Sequence, residues 1–134
     1  SWFRTIPHII KLPKRYVVVH AGVDPTKPLL EQTKRTLMYR RSYDPQDPEE
    51  TSDIPGYLKW YEHEPCKELA QYKIIFGHAI HEHPDVAHWA ISLDKGAVYG
   101  RGYRVMLIDT NGEDTFHEYP TDTYYISSHS WRNG

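Results

Sequence analysis

Two histidines each follow a run of apolar residues that is typical of a buried strand. The stretch "YVVVHAG" contains His20, and the stretch "YKIIFGHAI", much further along the chain, contains His78. Neutral imidazole is the commonest metal ligand in proteins, and a ligand at a strand end is held by the sheet. Gly22 and Gly77, beside the two histidines, should permit close approach of the backbone. Spacing alone leaves two interpretations open: a metal site, or two histidines that only make hydrogen bonds where their strands end.

The elements that would position these histidines can be predicted along the chain. Buried strands are predicted at "RYVVVHAG" and "KIIFG", and further strands at "AISL", "AVYG", "YRVMLID", "TFHEYP" and "TYYIS". "YRVMLID" and "TFHEYP" should form a hairpin around the turn "TNGED". A helix is predicted at "LLEQTKRTLMYRR", and a second one, broken near Pro65, at "YLKWYEHEPCKELAQY". Residues 42–56 are predicted to form a long acidic surface loop. This order predicts a mixed α and β class, with residues 1–134 in a single domain.

The composition of the chain argues against several functional classes. The net charge is −2, with 16 basic residues against 18 acidic ones, so we expect no nucleic-acid partner. No apolar run approaches the roughly 20 residues that a membrane span needs, and the start of the sequence does not resemble a signal peptide. The single cysteine, Cys66, excludes an internal disulfide and a cysteine-based zinc site. We therefore expect a cytoplasmic protein with no membrane partner.

Four short blocks occur in an order that resembles the calcineurin-like metallophosphoesterases. The blocks are "VVVHAG", "LLEQTKRTLMYRR", "KIIFGHAI" and "ISLDKGAVYGRGYRVMLID", and the resemblance covers about residues 6–110. The resemblance is strongest to the bacterial and phage branch of the phosphoprotein phosphatase group. That branch includes serine/threonine phosphatases and diadenosine-tetraphosphate hydrolases. The resemblance implies an α+β, αββα-type fold. This chain would be the C-terminal half of a β-sandwich that is flanked by helices.

The resemblance implies roles for three residues. His20 matches the family's "VHAG" histidine and His78 matches its "FGH" histidine, and in the family both bind the same metal ion. Arg40 matches the arginine of a "WIR" block, which contacts the substrate phosphate. A guanidinium suits that task because its fork of N–H groups pairs with phosphate oxygens. Alternatively, Arg40 is a solvated helix end and Arg41 takes its place. No residue of this chain is predicted to be catalytic.

Three further family blocks, "GDxHG", "GDxxDRG" and "GNHE", do not occur in the 134 residues. In the family they supply the aspartates, the bridging carboxylate, an asparagine and the general-acid histidine. The resemblance therefore implies that the missing N-terminal half lies on the same parent chain or on a partner chain. The complete site would hold two divalent metal ions. Manganese is the expected metal, and iron and zinc are the alternatives.

The activity implied by the resemblance is that of a hydrolase. A hydroxide activated by two metals would hydrolyse a phosphomonoester or a dinucleoside polyphosphate, so the expected partner is a phosphoprotein or a nucleotide. We expect the isolated chain to be inactive. The alternative is a non-catalytic binding or regulatory module that keeps the fold without the N-terminal metal ligands.

A histidine-rich segment, "HAIHEHPDVAHW", follows the second predicted strand and should be a polar loop. His81, His83 and His88 lie in it. They could form a separate metal site, they could be ordinary surface histidines, or the first two could line the rim of the phosphate site.

Overall fold

A mixed five-stranded sheet organises residues 7–121, the part of the chain that this computed structural model describes. Its strands are β1 (Ile10–Lys11), β2 (Tyr16–Val18), β3 (Lys73–Phe76), β4 (Asp85–Ala87) and β5 (Ala90–Ser92). The spatial order is β1-β2-β3-β5-β4. The central strand β3 pairs in parallel with β2 and β5, and the two outer strands pair antiparallel. The carboxyl ends of the three parallel strands therefore meet at one edge of the sheet.

A separate hairpin of β6 (Tyr103–Leu107) and β7 (Thr115–Tyr119) covers one face of this sheet. The face presents a small buried cluster, and apolar side chains from the hairpin pack against it. Arg104 strengthens the attachment because its fully buried side chain donates hydrogen bonds to the carbonyls of Ser92, His81 and Glu82. The predicted hairpin of "YRVMLID" and "TFHEYP" is confirmed.

An aromatic core covers the opposite face. Trp60 is 1% exposed, and its ring meets those of Phe76 and Trp89 edge to face at centroid distances of 4.9 and 5.2 Å. Alternate residues of β2 and β3 point into this core, Val17 and Ile74 among them. Because strand side chains alternate between faces, the continuous apolar runs of both strands are buried on both sides.

The first predicted helix is shorter than the sequence indicates. The α-helix α1 covers only Lys34–Tyr39, and a 3-10 turn at Leu29–Glu31 precedes it. Gln32 separates the two because its side chain binds the backbone N–H and carbonyl of Asp24. Thr33 then caps α1 by accepting a hydrogen bond from the Thr36 N–H at 3.2 Å.

The prediction of a second helix is wrong. "YLKWYEHEPCKELAQY" forms only two 3-10 turns, Trp60–Glu62 and Leu69–Gln71. Tertiary hydrogen bonds hold the backbone between them. The Cys66 N–H donates to the carbonyl of Pro25 at 2.7 Å, for example, so it is not available to a helix.

Two smaller predictions also need correction. "AVYG" is a 3-10 turn, Ala97–Tyr99, and not a strand, because Gly96 and Gly100 on either side adopt left-handed φ angles of 89° and 74°. The segment predicted as a polar loop contains β4. The predicted strand "TYYIS" lies outside the described residues. Within residues 7–121 no helix has the length and apolar character needed to cross a membrane. The mixed α+β class is confirmed, with few helices.

The two glycines beside the histidines have different structural roles. A Cβ atom on Gly22 would lie 2.4 Å from Nε1 of the buried Trp60, whereas a Cβ atom on Gly77 would meet nothing closer than 3.8 Å. The close approach predicted from the sequence is therefore real at Gly22 and is not required at Gly77.

We expect Gly22→Ala to lower the free energy of unfolding by roughly 1–3 kcal/mol, because the aromatic core must shift to admit the methyl group. Gly77→Ala is the matched control and should change stability little. Urea unfolding of both variants checks this. Equal stability of the two would contradict the packing described here.

Candidate metal and phosphate site

The parallel pairing of β2 with β3 brings His20 and His78 together. Val18 lies opposite Ile75 in the register, and the Gly77 N–H donates to the carbonyl of His20 at 2.9 Å just beyond the strand ends. The two imidazole ring centroids lie 5.0 Å apart, with an interplanar angle of 55°. This separation permits both rings to reach one ion with metal–nitrogen bonds of about 2.0–2.1 Å. Their role as metal ligands stays a prediction.

The protonation chemistry of His78 suits metal binding. Burial lowers the pKa of the half-buried His78, and the nearby Arg41 and His20 lower it further, while Asp94 opposes the shift. His78 is therefore neutral at pH 7, which is the form that ligates metals. Neither the His20 ring nor the His78 ring makes a hydrogen bond to another residue of the described range, so their nitrogens are free to bind an ion.

The described residues supply only part of a coordination shell. Within residues 7–121 no group of three His, Cys, Asp or Glu side chains could hold a metal. Asp94 lines the same cavity as the two histidines, but one of its carboxylate oxygens accepts the Gly96 N–H at 2.9 Å. The described residues therefore supply at most two histidine nitrogens to a metal ion, and a complete coordination shell would need further ligands.

The histidine-rich segment does not form a separate metal site within the described residues. His81 is instead tied to its surroundings, with Nδ1 2.9 Å from the carbonyl of Ala79 and Nε2 3.0 Å from the hydroxyl of Tyr61. His88 is exposed and lies 3.3 Å from a carboxylate oxygen of Glu64.

The backbone at His78 is unusual. Its φ angle is +68°, a left-handed conformation that costs a residue with a side chain about 1–2 kcal/mol relative to the right-handed one. The strained carbonyl is held by Arg41, whose Nη2 donates to it at 3.0 Å. Strain of this kind persists only where the surroundings fix it, and it is often found at functional positions.

The side chain of Arg40 is committed to the structure of the acidic loop. It is 1% exposed, Nη1 donates to the carbonyl of Glu50 at 2.7 Å, and Nη2 donates to Pro48 at 2.6 Å and to Thr36 at 3.0 Å. Its guanidinium also lies 5.5 Å from the ring centroid of Tyr43. The phosphate-binding role assigned to Arg40 from the sequence stays a prediction, and this geometry does not favour it.

Arg41 is better placed for that role. It is half-buried, it touches His78, and it lines two cavities that both border His78. The smaller cavity also includes Arg35, and the larger one also includes Lys59. Arg40 and Arg41 are adjacent in sequence and equally basic, so no local signal separates them before the fold is known.

Comparison with known proteins supports the fold. No family model matches the chain, and no curated protein matches it either. Among solved structures, the chain is similar to the crystal structure of a protein provisionally assigned as a diadenosine tetraphosphatase, with a TM-score of 0.68 and 24% identity. The match covers 90% of this chain, and this chain spans only 53% of that protein. The predicted phosphoesterase-like fold is confirmed at this coarse level.

The strain at His78 can be tested with two variants that both remove the imidazole. His78→Gly should be more stable than His78→Ala by roughly 1 kcal/mol, because glycine adopts a left-handed φ without a steric cost. Thermal and urea unfolding of the pair check the difference. If the alanine variant is the more stable one, the conformation of His78 is not strained.

Proposed function

We propose that this chain supplies part of the metal and phosphate site of a metal-dependent phosphoesterase. The observation that carries the proposal is the His20–His78 pair, which lies at the carboxyl edge of a phosphoesterase-like sheet beside Arg41. The substrate would be a phosphomonoester or a dinucleoside polyphosphate.

The remaining ligands would come from an N-terminal half, on the same parent chain or on a partner chain. An open cavity of about 780 Å³ borders both histidines, and apolar side chains of β1, β2 and β3 line much of it. An open, largely apolar cavity beside an incomplete metal site favours a further segment of protein that covers it. This chain spans only 53% of the solved structure with the same fold, which supports the same view.

The chemistry divides between the metals and the chain's own residues. Divalent ions, manganese first and iron or zinc as alternatives, would supply the charge that polarises a phosphoryl group and lowers the pKa of a water molecule. His20 and His78 would hold one ion as neutral ligands. Arg41 would orient the phosphate through its remaining N–H groups, because one of its nitrogens is fixed on the carbonyl of His78.

The hydrolase assignment is tested with the full-length natural protein that contains this sequence. Manganese-dependent hydrolysis of para-nitrophenyl phosphate and diadenosine tetraphosphate should fall by about 100-fold or more in His20→Ala and in His78→Ala. Melting temperatures measured without metal show whether the folds are kept. Turnover close to that of the wild type in both variants would remove these histidines from the site.

The choice between the two arginines has its own test. Arg41→Met should weaken binding of inorganic phosphate in the presence of manganese, with little loss of stability. Arg40→Met should lower the melting temperature clearly, because it leaves the part-buried carbonyls of Pro48 and Glu50 without their donor. Isothermal titration and thermal unfolding of both variants separate the roles. Loss of phosphate binding by Arg40→Met at an unchanged melting temperature would return the role to Arg40.

A further inference from the structure

Asp53, in the acidic loop, lies beside the cations of the candidate phosphate site. It lines both cavities that border Arg41 and His78, the larger of about 610 Å³ and the smaller of about 460 Å³. The hydrogen bond from Lys59 lowers the pKa of the Asp53 carboxyl group, and the charge of Arg41 lowers it further, while slight burial opposes the shift. Asp53 is therefore ionised at pH 7, and its negative charge faces the place that the proposed function gives to a phosphate.

The partner of Asp53 is Lys59, whose backbone is fixed by other contacts. Lys59 forms an isolated antiparallel bridge with Ser42, and its N–H donates to Oε2 of Glu62 at 2.8 Å. Residues that lie opposite each other in an antiparallel pair project their side chains to the same side. Both side chains here donate to Oδ1 of Asp53, Nζ of Lys59 in an ion pair and Oγ of Ser42 at 3.4 Å. The backbone contacts thus hold Lys59 beside the larger cavity independently of its ion pair.

The Asp53–Lys59 ion pair is exposed enough to exchange its partners. The side chains of Asp53 and Lys59 are 49% and 35% exposed. Ion pairs at such exposure add little to stability, because solvent screens them and both side chains lose conformational freedom. A phosphate monoester carries a charge of about −1.5 to −2 at pH 7 and three acceptor oxygens, so it is a stronger partner for an ammonium group than one carboxylate is.

Two other carboxylates line these cavities within the described residues, and both are occupied elsewhere. Glu50 accepts hydrogen bonds from N–H groups of its own loop, and Asp94 accepts one from Gly96. Asp53 is therefore the carboxylate that determines whether the ammonium group of Lys59 is available to a ligand.

We propose that Lys59 is a second phosphate-binding group of the candidate site and that Asp53 is its internal competitor. This inference rests on the proposed function and adds a means of regulating the same site. In the free protein Asp53 neutralises Lys59. A phosphate that binds at Arg41 takes the ammonium group from Asp53, so phosphate and the carboxylate exclude each other at Lys59.

The test measures the affinity of the full-length natural protein for inorganic phosphate by isothermal titration in the presence of manganese. Asp53→Asn should bind phosphate about fivefold or more tightly than the wild type, because a competing negative charge is removed. Lys59→Met should bind it more weakly, and adding Asp53→Asn to Lys59→Met should bring little further gain. Melting temperatures without phosphate show whether each variant folds, and Asp53→Ser repeats the measurement if Asp53→Asn folds poorly.

Asp47→Asn is the matched control, because Asp47 lies in the same loop, is exposed and lines neither cavity. It should keep the wild-type affinity, and a gain equal to that of Asp53→Asn would assign the effect to net charge and overturn the proposal. Unchanged or weaker binding by Asp53→Asn would overturn it too. A full gain that persists beside Lys59→Met would exclude competition for Lys59. Absence of phosphate binding by the wild type and every variant would instead contradict the proposed function itself.

Discussion

The parallel register between β2 and β3 is the constraint on which the rest of the candidate site depends. The ladder continues past the last strand residues through the hydrogen bond from Gly77 to the carbonyl of His20, and this bond sets the separation of the two rings. A slip of one residue would turn the side chains of one strand to the opposite face. Both strands are buried on both faces, so such a slip would also disrupt the two cores, and the register is strongly fixed.

The aromatic core and the site share residues, which couples stability to function. Trp60 fills the space that Gly22 leaves open beside His20, and it also lines the larger of the two cavities that border Arg41 and His78. Arg40 holds the acidic loop in place from within, so that Arg41, the next residue, is presented to His78. Disturbance of the loop would therefore reach the candidate site through the position of Arg41.

The strands that carry the histidines could be predicted from the sequence because each is a continuous β-branched apolar run that leads to a loop. The proximity of His20 and His78 followed only from the resemblance, since parallel pairing of distant segments leaves no local signal. The 3-10 turns could not be predicted, because tertiary hydrogen bonds such as that from Cys66 to Pro25 decide them. The larger cavity beside Arg41 and His78 could not be predicted for the same reason, because part of its lining comes from the mispredicted segments around Tyr61 and Val98.

The different surroundings of the Arg40 and Arg41 side chains have a simple cause. Helix α1 ends at Tyr39, and Arg40 is the C-cap residue with extended backbone angles. Successive side chains in extended backbone point in opposite directions, so one arginine enters the core and the other faces the cavities. Sequence similarity can locate such a pair but cannot assign the direction of each member.

Paramagnetic broadening of the histidine ring signals by Mn²⁺ tests the central claim most directly. It detects weak binding, and it reports which imidazoles lie near the ion in the 134-residue chain. The signals of His20 and His78 should broaden together at Mn²⁺ concentrations that leave the exposed His88 and His117 sharp. Broadening of all four to the same extent, or of His88 and His117 first, would contradict the assignment of His20 and His78 as a metal-binding pair.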